Sequence, residues 1–162
     1  MSENSPEITA QRGFMTTTED CEYVSWPGRG HHFWIKAPNE RTGGSFSLTE
    51  SQGAAGTSVG LHVHDAEDEA FYILEGDYRF TVADQEFLAS AGSLVFIPRG
   101  VWHGFKIGAT DGRCLSIFTP GGYEEVFREV GAAMATGADT AEVFARLGAK
   151  HHTRFRPVNK HG

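Results

Sequence analysis

Four side chains able to chelate a metal fall at short, regular spacings: His62, His64 and Glu69 within residues 56–76, and His103 at the close of residues 92–103. Residues two apart on a strand share a face, so His62 and His64 project their imidazoles into one space, about 7 Å apart along the backbone. Glu69 lies five residues past His64, the wrong parity for a continuous strand. A reversal over 65–68 is expected to bring it in from an adjacent antiparallel strand. His103 follows Pro98, Arg99 and Gly100, a rigid turn that opens a new strand. Neutral imidazole suits zinc, copper, iron and nickel, while carboxylate suits harder ions. Four protein ligands saturate a tetrahedral zinc but leave two positions open on an octahedral ion. The set therefore favours a six-coordinate or redox-competent divalent metal, with Glu69 able to alternate between ligand and general base.

Other candidates have weaker claims. His31 and His32 are adjacent on an expected strand and point to opposite faces, so they cannot both turn toward one ion. His151, His152 and His161 sit in a basic tail that reads as a cationic end. Cys21 and Cys114 are the only cysteines and form no CxxC pair, the pattern of free thiols in a reducing compartment.

The positioning elements follow from periodicity. Short runs rich in β-branched and aromatic residues are expected as strands within 23–35 and at 45–50, 59–64, 69–75, 78–82, 87–88, 94–97, 104–107 and 114–118. Turn residues separate them: 38–44 is expected as a turn, 52–57 as a break. Many short strands at close spacing predict an all-β sandwich or barrel. After Gly122 the pattern changes to helical spacing over 123–134, and a second helix is expected from an Asp139 cap to a stop at Gly148. The organisation expected is an arm over 1–21, a barrel over 22–118, and helices with a basic tail over 119–162.

The chain has 162 residues, 40% hydrophobic, enough for one domain with a real core. Its 21 acidic against 14 basic residues, net charge −7, give no footprint for nucleic acid or an anionic membrane. No apolar run approaches the roughly 20 residues of a membrane span, and the polar start lacks a signal peptide, so a cytoplasmic protein is expected.

At these residues the sequence resembles the cupin superfamily. Its first motif, G(x)5HxH(x)3–4E(x)6G, is met by Gly56, His62, His64, Glu69 and Gly76. Its second, G(x)5PxG(x)2H(x)3N, is met by Gly92, Pro98, Gly100 and His103, with Ile107 in place of the final Asn. That departure is expected to touch a turn and not the metal. The resemblance implies a cupin-type jelly-roll β-barrel with C-terminal helices, an ion bound inside by His62, His64, Glu69 and His103, and a homodimer. More narrowly, residues 71–76, 96–100 and 119–124 are similar to single-domain cupins grouped with quercetin 2,3-dioxygenase. Those proteins use iron, manganese, nickel or cobalt, rather than zinc, to open a flavonol ring with dioxygen, the matching glutamate serving as ligand and base.

Strand parity also sketches a pocket. If the four chelating residues point inward, so do Phe71, Ile73, Phe105 and Ile107, and Phe46, Leu48, Phe80 and Phe118 are further candidates for the wall. Lys106 alternates outward and Arg99 lies in a turn, so a phosphorylated or sugar-acid substrate has no evident anchor. An aromatic or polyketide-like enol or phenol fits better. The reactions expected are, in order, a metal-dependent dioxygenase, a metal-dependent isomerase, cyclase or lyase, and a non-catalytic metal- or ligand-binding module.

Overall fold

Alternation of apolar and polar residues builds strands wherever one face can be buried, and in the computed structural model, which describes residues 12–156, strands are the main regular element. Its elements in chain order are β1 Glu22–Trp26, β2 His31–Ala37, α1 Asn39–Thr42, β3 Ser47–Gly53, β4 Ser58–His64, β5 Asp68–Glu75, β6 Asp77–Val82, β7 Gln85–Ser90, β8 Leu94–Ile97, β9 His103–Ile107, β10 Gly112–Thr119, α2 Glu124–Ala135, α3 Thr140–Lys150 and β11 Thr153–Phe155. The strands form two antiparallel sheets. One runs β1-β2-β3-β10-β5-β8 and the other β11-β4-β9-β6-β7. This is the jelly-roll barrel expected from the sequence. Residues 1–11 of the expected arm, and His161, lie outside the described residues, and residues 12–21 carry no strand or helix.

The inner faces make two apolar clusters. Ile73, Tyr78, Phe80, Val82, Val95, Ile97, Ile107 and Cys114 close one end of the barrel. At the other end α2 and α3 lay Val126, Phe127, Val130, Met134, Val143 and Leu147 against Trp26, Phe33 and Phe118. Trp26 Nε1 donates to the Phe127 carbonyl at 3.1 Å, tying α2 to β1. No helix among the described residues is long and apolar enough to cross a membrane. On the outer face of the larger sheet, Tyr72, Leu94 and Phe96 stand 40%, 63% and 57% exposed on the paired strands β5 and β8.

Several local expectations change, each for a long-range reason. Residues 38–44 contain the short helix α1, ended by Gly43 in the left-handed region. The break expected at 52 begins later, because β3 continues through Gly53, where a Cβ would stand 3.0 Å from the His31 ring. Ile107 is no turn residue: it is 1% exposed in the barrel core. Asp139 does cap α3, accepting from the Ala141 and Glu142 amides. Gly148, however, does not stop that helix. It lies within α3 because β11 crosses it so closely that a Cβ would come within 2.5 Å of the Thr153 carbonyl and 3.2 Å of the Phe155 ring. The tail thus becomes a strand, pairing Thr153 with His64 and Phe155 with His62.

Replacing Gly148 with Ala should destabilise the fold by about 1–3 kcal/mol through this overpacking, measured as a lower urea midpoint at unchanged slope. An unchanged midpoint would show that β11 yields freely.

Candidate metal centre

The three strands that carry the site come from both sheets. His62 and His64 lie at the end of β4, with His103 opposite His62 at the start of β9, all in the smaller sheet. Glu69 lies near the start of β5 in the larger sheet, between Phe118 of β10 and Ile97 of β8. The chain therefore crosses between the sheets after His64, in place of the adjacent-strand hairpin expected from parity. Backbone contacts fix that crossing. The Gly100 amide donates to the His64 carbonyl at 2.7 Å, joining the turn before His103 to β4. Arg99 donates to both oxygens of Asp68 at 3.0 Å, and its amide adds a bond of 2.8 Å, clamping that turn beside Glu69.

One donor atom from each of His62, His64, Glu69 and His103 lies within 4.8 Å of every other, and all four residues are buried. The ring hydrogens are settled by their partners. His62 Nδ1 faces the Gly60 carbonyl and His103 Nδ1 the Val101 carbonyl, each at 2.9 Å. A carbonyl only accepts, so each Nδ1 carries the hydrogen and the neutral ring presents an Nε2 lone pair. Thr153 does the same for His64. Its hydroxyl donates to the His151 carbonyl at 3.2 Å, leaving its oxygen to accept from His64 Nδ1 at 3.4 Å.

Glu69 Oε2 then sits 3.0 Å from His103 Nε2 and 3.2 Å from His64 Nε2. Acceptors facing acceptors repel unless a positive charge stands among them. A proton can supply that charge: burial opposes ionising Glu69, but the His103 and His64 bonds outweigh it and hold the carboxyl low. Burial would likewise lower His103, yet its bond to Glu69 raises it. Burial, with His103 and His64 beside it, lowers His62 to about 3. A divalent cation meets the same need with all four donors, so this group fits a metal in both geometry and charge.

The cluster opens on a cavity of about 850 Å³ between the sheets, roofed by α2, α3 and β11. Phe71, Phe105 and Phe118 line it beside His62, His64 and Glu69. His103 lies behind them, 1% exposed. Ile73, Phe80 and Ile107 point inward but belong to the closed end of the barrel. Leu48 is half-buried, and Phe46 precedes β3 and is 39% exposed; neither lines the cavity. The inward positions of β3 are Ser47, Thr49 and Ser51, and of these Ser51 lines the cavity.

Sequence parity missed most of the roof. Tyr123 packs edge-on to His64 with ring centres 4.3 Å apart, and Phe155 stacks on His62 at 5.8 Å. Tyr123 starts the helical pattern legible in the sequence, whereas Thr153 and Phe155 carried no local signal. Of the set-aside histidines, His151 bonds Glu129 at 2.9 Å and His32 bonds Tyr23 at 2.6 Å, while His31 and His152 line the cavity.

Residues 52–118 match the cupin domain. The quercetin 2,3-dioxygenase of Bacillus subtilis (strain 168) is 26% identical over 140 residues, covering 81% of this chain and 42% of that protein. The chain thus spans about two fifths of that curated relative's length. Among solved structures, KdgF from Halomonas sp. superposes with a TM-score of 0.63 at 16% identity, over 70% of this chain and 99% of that one. The polyketide cyclase RemF from Streptomyces resistomycificus gives 0.57 at 24% identity, over 67% and 80%. These structural likenesses establish the fold.

In the metal-free protein, His103 should titrate above the ordinary 6.5 and His62 near 3. The stability owed to the His103 proton is then full below 6.5 and lost as pH rises through the raised value. His62 acts oppositely: below 6.5 the unfolded chain takes a proton that the folded site refuses down to about 3, so stability falls with pH. Imidazole NMR titration checks both, and Glu69→Gln should lower the His103 value.

Proposed function

For this chain, a cupin resembling the quercetin 2,3-dioxygenases, we propose a metal-dependent dioxygenase acting on an aromatic, flavonol-like enol or phenol. The observation that carries the reading is the buried His62, His64, Glu69 and His103 group at the head of an aromatic-walled cavity. Iron, manganese, nickel or cobalt bound by these four residues would supply Lewis acidity with two coordination positions left for oxygen ligands.

The chain's own residues divide the remaining work. Phe71, Phe105 and Phe118 offer ring faces that orient a flat substrate and keep water from it. Of the two carboxylates on the cavity wall, Asp65 is held by Arg154 at 2.7 Å, and Glu69 lies among the imidazoles. Glu69 is thus the base that accepts the substrate's hydroxyl proton at Oε2. Thr153 and the carbonyls of Gly60 and Val101 hold the rings in the tautomer that ligation needs.

We further infer a homodimer that covers Tyr72, Leu94 and Phe96, a contiguous exposed apolar row. Phe96→Lys should then sediment as a monomer while the parent protein sediments as a dimer.

Elemental analysis followed by oxygen uptake against a panel of flavonols tests the reaction. Bound divalent metal and uptake dependent on a flavonol are expected, with His62→Ala losing at least about tenfold in metal affinity. Protein that binds no metal refutes the reading. Turnover that continues under argon assigns a cyclase or isomerase instead, and binding without turnover a ligand-binding module.

A further inference from the structure

The end of the cavity away from Glu69 holds a second polar group that the proposed reaction does not use. His31, on β2, is 4% exposed, and its ring lies on the cavity wall. Its neighbours are rings: Phe33 stacks at 5.9 Å, and Trp26 and Phe105 stand edge-on at 6.1 and 6.4 Å. Among the described residues none hydrogen-bonds its ring nitrogens. Gly53 makes room for it, since a Cβ there would stand 3.0 Å from the ring. Burial, then the charge of Arg29, lowers His31 to about 4, so near neutral pH it offers the cavity one N–H and one lone pair.

Arg29 supplies the charge at the same end. It lines the cavity with its guanidinium 5.9 Å from the centre of the Phe144 ring, and no acidic side chain among the described residues pairs with it. Arg154, by contrast, is taken up by Asp65. The scale is set by Phe105. It lies two residues, about 7 Å, beyond His103 on β9, and its ring stands 6.4 Å from that of His31, so one side chain neighbours both ends. The cavity of about 850 Å³ that joins the two ends has room for a two- or three-ring aromatic.

We propose that His31 and Arg29 bind an anionic oxygen group, a carboxylate or acidic phenol, at the far end of the aromatic substrate. The His31 N–H donates to the group and the Arg29 guanidinium balances its charge. The inference rests on the aromatic substrate proposed above and narrows it to compounds with oxygen functions at both ends. It also gives the cavity a cationic anchor of the kind that the strand positions of Lys and Arg did not suggest.

Two probes test it, 4′-carboxy-3-hydroxyflavone and its methyl ester, which share one flavonol end and differ in charge at the other. Titration calorimetry on the metal-loaded protein should show the acid bound about tenfold more tightly than the ester, the worth of one charge-assisted hydrogen bond. Arg29→Gln and His31→Phe should each bring that ratio close to one, and Arg29→Lys should restore part of it. His31→Phe keeps the ring packing, so a purely structural imidazole would leave the ratio unmoved. Equal affinities in the parent protein, a tighter ester, no binding of either probe, or a ratio indifferent to both variants overturns the inference. Equal affinities with flavonol turnover intact remove only the anionic end, whereas an acid preference without metal loading or turnover removes the proposed reaction and leaves this binding end standing.

Discussion

Glu69 comes from one sheet and its imidazole neighbours from the other, so their contact exists only while the two sheets keep a fixed separation. Four polar groups buried from bulk water lose solvation that mutual, well-aimed contacts must offset. The surrounding features can be understood as conditions on that contact. The Asp68 to Arg99 clamp and the Gly100 to His64 bond fix where the chain crosses. The apolar plug around Phe80 and Ile97 sets the separation from below. The helical cluster around Phe127 sets it from above. Close packing makes such a gap stiff, because neither cluster can yield without opening voids.

Much of this was legible in the chain because it follows from period and spacing. His62 and His64 share a face by parity, and the strands around them alternate clearly enough to give a barrel. The Asp139 cap was readable from side-chain chemistry alone. What escaped was set by partners remote in sequence. Gly53 and Gly148 look like interruptions, yet each lies inside an element because something distant occupies the space its side chain would need. Leu48 and Phe46 have the composition of pocket residues, but the register of β3 turns Ser47, Thr49 and Ser51 inward instead. Arg29 lies in a turn, and only closure of the barrel brings it to the cavity.

The cavity wall is uneven, and that matters for what it can recognise. Aromatic rings cover the side near the chelating group, while Ser51 and Ser116 leave width on the larger sheet. A shared fold says little about such differences, since function resides in sites carried on folds. The rings that face the cavity, and the charges at its rim, are what distinguish this chain's cavity.

The strand β11 ties the centre to a segment remote in sequence. Thr153 meets His64 across 89 residues of chain, and the strand that carries it has only three residues. Loop-closure entropy delays contacts of such separation, and a short edge strand gains little until its partner β4 already stands. The barrel can therefore form before the His64 ring is locked. A small contact remote in sequence thus fixes the tautomer of a ring that the barrel itself places.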